Sequence, residues 1–212
     1  MKHFIHIPKT GGMTIRHLKD KNIHATTKTD LPKPYLEQLL KVMNENGEHH
    51  GIQHSRWQDL TTKAKEIPAF AFVRNPWSRV VSRYTFLINN VLNRGKGRKW
   101  DKRQSFEEFL EERHKWKDYP YYWHRAIRNW YNQKDYVIGN VDVLRTEHMY
   151  EDFKRYFGYP LEMHKRNISN ISNLDYKDFY TPQTKQIIAD WYGEDIEYFG
   201  FTFEGTATRN VI

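Results

Sequence analysis

"HIPKTGGMT", residues 6–14, lies near the start of the chain and joins two predicted elements. The run from His3 to Ile7 is short and apolar, which predicts a β-strand, and residues 13–19 predict a helix. Gly11 and Gly12 lack a Cβ, so the backbone between the two elements can turn sharply and approach an anion closely. The segment therefore predicts a strand, a glycine turn and a helix.

This glycine turn predicts an anion-binding loop. Its backbone N–H groups lie at the positive end of the predicted helix, where phosphate or sulfate is stabilised. These groups belong to Thr10, Gly11, Gly12, Met13 and Thr14. Lys9 stands before the glycines, whereas a nucleotide-triphosphate loop, G-x-x-x-x-G-K-[ST], has its lysine after them. The dinucleotide pattern G-x-G-x-x-G is not matched either, so the loop differs from both common nucleotide motifs.

A second segment with phosphate-binding features is "FAFVRNPWSRVVSRYTF", residues 70–86. Arg74 follows a predicted buried strand, at the carboxyl end where ligands bind in open parallel sheets, and its planar guanidinium suits a phosphate. Ser82 adds a hydroxyl from the polar face of the next predicted helix. Arg79 and Arg83 fit either a second set of phosphate contacts or a solvated helix face. The segment therefore predicts a second phosphate site.

The two segments together resemble those of sulfotransferases that use 3′-phosphoadenosine 5′-phosphosulfate (PAPS). "HIPKTGGMT" resembles the 5′-phosphosulfate loop P-K-T-G-[GT]-[ST] of that family, and Arg74 and Ser82 match its 3′-phosphate arginine and the serine eight positions later. Residues 145–159 and 180–203 resemble the closing segments of compact sulfotransferases related to the carbohydrate group. The resemblance implies a P-loop-like sulfotransferase fold and PAPS as sulfuryl donor.

Sulfuryl transfer sets the roles that these residues are expected to have. It needs a base for the acceptor hydroxyl, charge stabilisation on the moving group and support for the departing oxygen. We expect Lys9 to stabilise charge near the bridging oxygen, while the loop amides of residues 10–14 hold the 5′-phosphate and the sulfate. By resemblance, Arg74 and Ser82 bind the 3′-phosphate. No metal is expected.

The expected base is His54, in the segment "HHGIQHSRW". Ser55, with Gln58 three residues later, predicts the capped start of a helix. The positive end of that helix would disfavour imidazolium and keep the ring of His54 neutral, able to accept a proton. The sulfotransferases that the chain resembles often have a histidine in this interval, before the 3′-phosphate strand.

Other residues compete with His54 for this role, and the sequence leaves them open. They are Glu48, His49 and His50. Of these, Glu48 is the more serious competitor, because the family uses an acidic residue at this step in other members. A zinc site made by His49, His50 and His54 would not have a recognised catalytic spacing. His6, within the first strand, is expected to be structural.

Strands alternate with helices along the chain, and this alternation predicts the fold class. We expect an α/β fold of three layers, with a mostly parallel central sheet flanked by helices, as a single domain over residues 1–212. After the glycine loop, the pattern predicts strands at 69–73 and 141–144. It predicts helices over 34–46, from Ser55 to Pro68, from Pro76, from Ser105, up to Gly158 and from Pro182.

Composition narrows the class of protein. The chain has 212 residues, of which 34 are Lys or Arg and 26 are Asp or Glu, and this net charge of +8 favours an anionic partner. No cysteine is present, which excludes disulfides, a thiolate nucleophile and a cysteine-based metal site. The predicted strand starts by Lys2 and no apolar run approaches a membrane span, so we expect a cytoplasmic protein without an integral membrane segment.

The acceptor and the rival functions follow from the same residues. The acceptor hydroxyl is expected on a carbohydrate, a glycan or glycolipid, and the sequence leaves a small alcohol and a tyrosine open as alternatives. The basic run from Arg94 to Arg103 could contact an acidic glycan. A small P-loop nucleotide or metabolite kinase is the alternative enzyme, although the position of Lys9 argues against it. A nucleic-acid-binding module is a third class, and the chain contains no recognition helix or aromatic RNA-binding motif that would favour it.

Overall fold

The computed structural model describes residues 1–46, 51–94, 105–114, 132–162 and 175–212. The strands in these residues are Lys2–Ile5 (β1), Ile23–Ala25 (β2), Ala69–Val73 (β3) and Val141–Arg145 (β4). The α-helices are Gly12–His17 (α1), Lys33–Asn46 (α2), Thr62–Lys65 (α3), Pro76–Arg94 (α4), Phe106–His114 (α5), Gln133–Val137 (α6), Met149–Phe157 (α7), Pro182–Trp191 (α8) and Gly193–Phe199 (α9).

The four strands form one parallel sheet in the order β2-β1-β3-β4. In register, His3 of β1 lies beside His24 of β2, and Phe4 of β1 lies beside Phe70 of β3. Because all strands run in the same direction, their carboxyl ends meet at one edge of the sheet. β1 leads there into the glycine loop, and β3 leads directly into Arg74.

Helices cover both faces of this sheet, which confirms the predicted three-layer α/β architecture. Alternate residues of β1 and β3 point to opposite faces, since the side-chain period of a strand is two. Ile5 packs in a cluster with Leu39 of α2 and Phe199 of α9. Phe70 packs on the other face in a cluster with Ile15 of α1 and Phe153 of α7. Each such side chain contributes roughly 1.5–3 kcal/mol when fully buried.

A third apolar cluster lies between α4, α5 and α8. Trp77 and Val80 of α4 pack there with Phe109 of α5 and Ile188 of α8. Helix α4 is 19 residues long and begins two residues after Arg74, and its polar face carries Ser78 and Ser82. None of the helices in the described ranges combines the length and the apolarity that crossing a membrane requires.

Several predicted helix ends are confirmed by their capping contacts. Asn75 Oδ1 accepts hydrogen bonds from the backbone N–H groups of Trp77, at 3.0 Å, and Ser78, at 3.3 Å, at the start of α4. Thr181 caps α8 in the same way. Gly158, with φ 81°, ends α7 in the left-handed conformation that glycine adopts readily.

The helix predicted to begin at Ser55 is wrong. Two short 3₁₀ turns, Ile52–His54 and Trp57–Asp59, occupy this interval, and Ser55 ends the first of them. The carboxylate of Asp59 accepts a hydrogen bond from the backbone N–H of Arg56, at 3.0 Å, and this contact closes the second turn. The helix α3 starts only after Thr61. A positive helix end at Ser55 therefore cannot be what keeps His54 neutral.

Candidate active site

The glycine loop connects β1 to α1 at the carboxyl edge of the sheet. Gly11 has φ 78° and is the N-cap of α1. A Cβ added at Gly11 would lie 2.4 Å from Cε of Met149, and one added at Gly12 would lie 2.0 Å from Cδ2 of His6. Close packing against the His6 ring therefore requires a glycine at position 12, whereas the left-handed φ favours a glycine at position 11, since Cε of Met149 is the movable end of a flexible side chain.

Lys9 has an unusual backbone conformation within this loop. Its φ is 67°, in the left-handed region that costs a residue with a Cβ about 1–2 kcal/mol. Side chains from other elements hold the adjoining carbonyl groups. Arg79 Nε donates to Pro8 O at 3.0 Å, and Thr146 Oγ1 donates to Thr10 O at 3.0 Å. Arg74 Nη1 approaches the oxygen of Lys9 itself at 3.4 Å. The surrounding structure thus fixes the strained residue.

The side chain of Lys9 lies among other positive charges. Burial, followed by the charges of Arg83 and Arg74, lowers the pKa of Lys9 from 10.5 to about 7. Its Nζ lies 4.2 Å from the centroid of the Phe86 ring. Like charges brought this close repel one another, so a bound anion would relieve the repulsion and favour the charged lysine.

Arg74 is held from both its backbone and its side chain. Its backbone N–H donates to Gln133 Oε1 at 2.8 Å, and its carbonyl accepts from Gln133 Nε2 at 2.8 Å. Its Nε donates to Ser78 Oγ at 2.9 Å. Ser82 lies one turn beyond Ser78 on the same face of α4 and is half-buried. Burial lowers the pKa of Arg74, and nearby Glu147 opposes that shift.

The two further arginines of α4 are buried, so the solvated helix face considered for them is wrong. Arg79 is fully buried and Arg83 is 5% exposed. The guanidinium of Arg79 lies 5.6 Å from the ring centroid of Tyr192. Burial raises the pKa of Asp195 to about 6, and the charge of Arg79 opposes that shift. Arg79 therefore joins the glycine loop to the junction of α8 and α9.

His54 lies beside the glycine loop, although 48 residues separate it from His6. Its Nδ1 donates a hydrogen bond to the carbonyl oxygen of His6 at 2.8 Å, because a carbonyl can only accept. Its Nε2 accepts from the side-chain amide of Gln53 at 3.1 Å. The ring is 4% exposed. These contacts describe a neutral imidazole whose Nε2 is the proton-accepting atom.

His6 connects His54 to the loop. The centroids of the two imidazole rings lie 4.4 Å apart. The His6 ring also lies directly against Gly12, where it leaves no room for a Cβ. The structure therefore brings His54 to the start of α1, and the expectation that His6 is structural agrees with its buried position.

The other candidate bases lie outside the described residues. They are Glu48, His49 and His50, so a zinc site of His49, His50 and His54, which the sequence disfavours, has two of its three residues outside the described ranges as well. Within the described residues, the side chains that could hold a metal are those of His3, His24 and Asp30. His24 Nε2 lies 3.0 Å from Asp30 Oδ2, and His3 Nε2 lies 3.0 Å from Thr26 Oγ1, so these contacts join β1 to the segment that follows β2.

The sequence did not predict the contacts of some residues of the site. Ser78 received no assigned role, although the sequence places it on the same ligand-facing side of the helix as Ser82. Gln53, which contacts His54, is adjacent to it in sequence but has no motif of its own. Gln133 and Thr146 come from distant segments, and no local pattern indicates their contacts. Together the site contains a row of backbone amides, several cations and a neutral imidazole, which suits transfer of an anionic group to a hydroxyl.

Comparisons with known proteins identify the family and the fold of the chain. The model of the sulfotransferase family matches residues 3–202. No curated protein sequence matches the chain. Among solved structures, mouse sulfotransferase SULT7A1 complexed with PAP aligns with a TM-score of 0.50 at 16% identity, covering 92% of this chain and 83% of that chain. A sulfotransferase from Alicyclobacillus acidocaldarius aligns with a TM-score of 0.47 at 13% identity, covering 92% of both chains.

The family match and the fold answer the question raised by the glycine loop. The likeness to the mouse structure confirms the expected sulfotransferase fold, in which a parallel sheet leads into the loop. The family model extends over most of the 212 residues, far beyond the two phosphate-binding segments at residues 6–14 and 70–86. The chain belongs to the sulfotransferase family.

Proposed function

We propose that this enzyme transfers the sulfuryl group of PAPS to an acceptor hydroxyl without using a metal ion. The observation that carries the proposal is the contact chain from His54 through His6 to Gly12. It brings a neutral imidazole beside a loop suited to a phosphate or sulfate group. A proton acceptor beside an anion loop fits attack by a hydroxyl on a sulfuryl group better than simple nucleotide binding.

The donor is proposed to occupy two phosphate sites. The backbone amides of residues 10–13 and the side chain of Lys9 bind the 5′-phosphosulfate, and Arg74 and Ser82 bind the 3′-phosphate. The N–H of Thr14, which the sequence also assigned to the donor, instead donates to Gly11 O at 2.9 Å in the first turn of α1. The electrostatics of Lys9 support this assignment, since burial, followed by the charges of Arg83 and Arg74, lowers the pKa of Lys9 to about 7. The mouse sulfotransferase of the same fold was solved with PAP, which carries the two phosphates without the sulfuryl group.

The residues of the chain then divide the chemistry between them. His54 Nε2 takes the proton of the acceptor hydroxyl as the new sulfur–oxygen bond forms. The bond between sulfur and the bridging phosphate oxygen breaks, and Lys9 stabilises the negative charge that collects on that oxygen. These groups position the reactants and stabilise the developing charge, and both effects account for the expected rate enhancement, as they do in phosphoryl transfer.

The acceptor is proposed to be a carbohydrate hydroxyl, on a glycan or a glycolipid. The resemblance of residues 145–159 and 180–203 to carbohydrate-related sulfotransferases supports this choice, and the net charge of +8 favours an anionic partner. The basic run from Arg94 to Arg103 lies largely outside the described residues, so the proposal does not rest on it.

Transfer of a radioactive sulfuryl group tests the proposal. The protein is incubated with ³⁵S-labelled PAPS and a panel of polysaccharides, glycolipids, small alcohols and tyrosine peptides, and labelled product is counted. A parallel reaction contains γ-labelled ATP with magnesium. Label transferred from PAPS to a carbohydrate supports the proposal. Label transferred only from ATP would replace it with the kinase alternative, and transfer from PAPS only to peptides or small alcohols would overturn the carbohydrate acceptor.

A further inference from the structure

The nitrogen of His54 that is proposed to accept the proton is already occupied. His54 Nε2 accepts a hydrogen bond from Gln53 Nε2 at 3.1 Å, and Nδ1 is engaged with the carbonyl oxygen of His6 at 2.8 Å. An acceptor hydroxyl therefore reaches the ring only where the Gln53 amide gives way. Gln53 is half-buried and His54 is buried, so the amide of Gln53 covers the ring at Nε2.

Gln53 is in turn held by an arginine. Nη1 of Arg16 donates a hydrogen bond to Gln53 Oε1. Arg16 lies in the last turn of α1, and its side chain is exposed. The amide of Gln53 is neutral, so this contact does not compensate the charge of the guanidinium, and no ion pair of Arg16 is found within the described residues. Arg16, Gln53 and His54 thus form a hydrogen-bonded row from an exposed cation to the ring nitrogen.

Resting on the proposed function, we infer that Arg16 and Gln53 select an acceptor with an anionic group, a carboxylate or a sulfate, close to the reacting hydroxyl. The anion binds the Arg16 guanidinium in place of Gln53 Oε1. A guanidinium binds an anion more strongly than a neutral amide, because charge-assisted hydrogen bonds are roughly twice as strong. Gln53 then turns away from Nε2, and the acceptor hydroxyl takes its place.

A neutral acceptor lacks the group that performs this exchange. It must displace Gln53 from Nε2 while Arg16 still holds the other end of the amide. The row therefore couples recognition of the acceptor charge to access to the base. Arg16 acts here as a specificity residue and Gln53 as a positioning residue, and neither one touches the donor site formed by the glycine loop and Arg74 in the described contacts.

The test uses one acceptor in two charge states, an acidic polysaccharide and the same polysaccharide with its carboxyl groups reduced to alcohols. Steady-state kcat and KM are measured for both at saturating PAPS, together with PAP affinity. The variants are Arg16→Gln, Arg16→Lys and Gln53→Ala. Lys19→Gln is the matched control, since it removes one exposed positive charge just beyond α1.

The wild type is expected to prefer the acidic form by about tenfold or more in kcat/KM, the size of one charged hydrogen bond. Arg16→Gln should lose this preference through a higher KM for the acidic form, while Arg16→Lys retains part of it and Lys19→Gln retains all of it. Gln53→Ala should raise kcat/KM for the reduced form. All four variants should bind PAP like the wild type.

Two results would overturn the inference alone. One is an acid preference in Arg16→Gln equal to that of the wild type, and the other is a wild type that prefers the reduced polysaccharide. In both cases PAP binding and sulfuryl transfer persist, so the proposed function stands. A wild type that does not bind PAP would overturn the proposed function and the inference with it.

Discussion

Nδ1 of His54 donates a hydrogen bond to the carbonyl oxygen of His6 at 2.8 Å. This contact fixes which ring nitrogen carries the proton, and it leaves Nε2 as the acceptor. The sequence predicts a neutral His54 through the positive end of a helix. The structure supplies a different cause, a backbone carbonyl from the segment between β1 and the glycine loop.

Replacing His54 should separate chemistry from binding. His54→Ala removes the proton acceptor, so turnover should fall by about 10²–10⁴-fold, the usual contribution of a positioned base. PAP affinity should stay the same, because the donor contacts lie on the glycine loop and on Arg74. Initial rates and calorimetric PAP titration check both expectations. Glu48→Ala is the companion variant, and a loss of turnover in Glu48→Ala alone would assign the base to Glu48.

Removing the side chain of Lys9 should slow the reaction while the protein stays folded. Lys9→Ala takes away the charge proposed to act at the bridging oxygen, and the loss of one such group lowers turnover by roughly 10²–10³-fold. The substitution also removes the repulsion of Lys9 by Arg83 and Arg74, so loss of this charge should not lower the thermal unfolding temperature. Full activity in Lys9→Ala would remove Lys9 from the mechanism.

PAP affinity should depend on pH through Lys9. In the free protein the pKa of Lys9 is lowered to about 7, whereas an adjacent anion favours the ammonium and raises that pKa in the complex. As the pH rises through about 7, the free protein loses the proton that the complex keeps, so binding takes up a proton and weakens. Below this range Lys9 is charged in both states and contributes no pH dependence.

Calorimetric titration from about pH 7 to about pH 9 checks this sign, with an expected fall of up to tenfold in affinity per pH unit. Repeating the titration in buffers with different ionisation enthalpies measures the proton uptake directly. In Lys9→Ala both effects should disappear. Proton uptake that persists in that variant would show that a different group titrates.

The packing of His6 against Gly12 can be tested by a double-mutant cycle. Gly12→Ala places a methyl group where the structure has 2.0 Å to Cδ2 of His6, so it should destabilise the protein by about 1–3 kcal/mol. His6→Ala empties that space, and the alanine at position 12 should then cost much less. Urea unfolding of the four proteins measures the coupling. Additive effects of the two substitutions would argue against the contact.

The parts of the fold that the sequence predicted are those with local signals. The strand at 69–73 is a short uninterrupted apolar run, and Asn75, Gly158 and Thr181 mark helix ends by their own chemistry. β2 has three half-buried residues and no apolar run, so it forms because β1 offers it an edge. Helices α6 and α9 are too short to show a period.

The candidate site was predictable where one residue type carries the chemistry at a fixed spacing. Lys9 and the glycines follow a strand, and Arg74 and Ser82 share a second motif. The order of contacts was not predictable, because Arg74 bonds to Ser78 on α4 and to Gln133 from a segment 59 residues away. Tertiary packing decides these partners, and no local pattern reports it.

Calorimetric titration with PAP and, separately, with ATP, each without and with magnesium, tests the central claim most directly. It is performed on the wild type and on Arg74→Ala, with Lys19→Gln as a charge control. The account predicts metal-independent binding that is tighter for PAP than for ATP, is lost or strongly weakened in Arg74→Ala, and is unchanged in Lys19→Gln. No PAP binding by the wild type, or binding that requires magnesium and favours ATP, would contradict it.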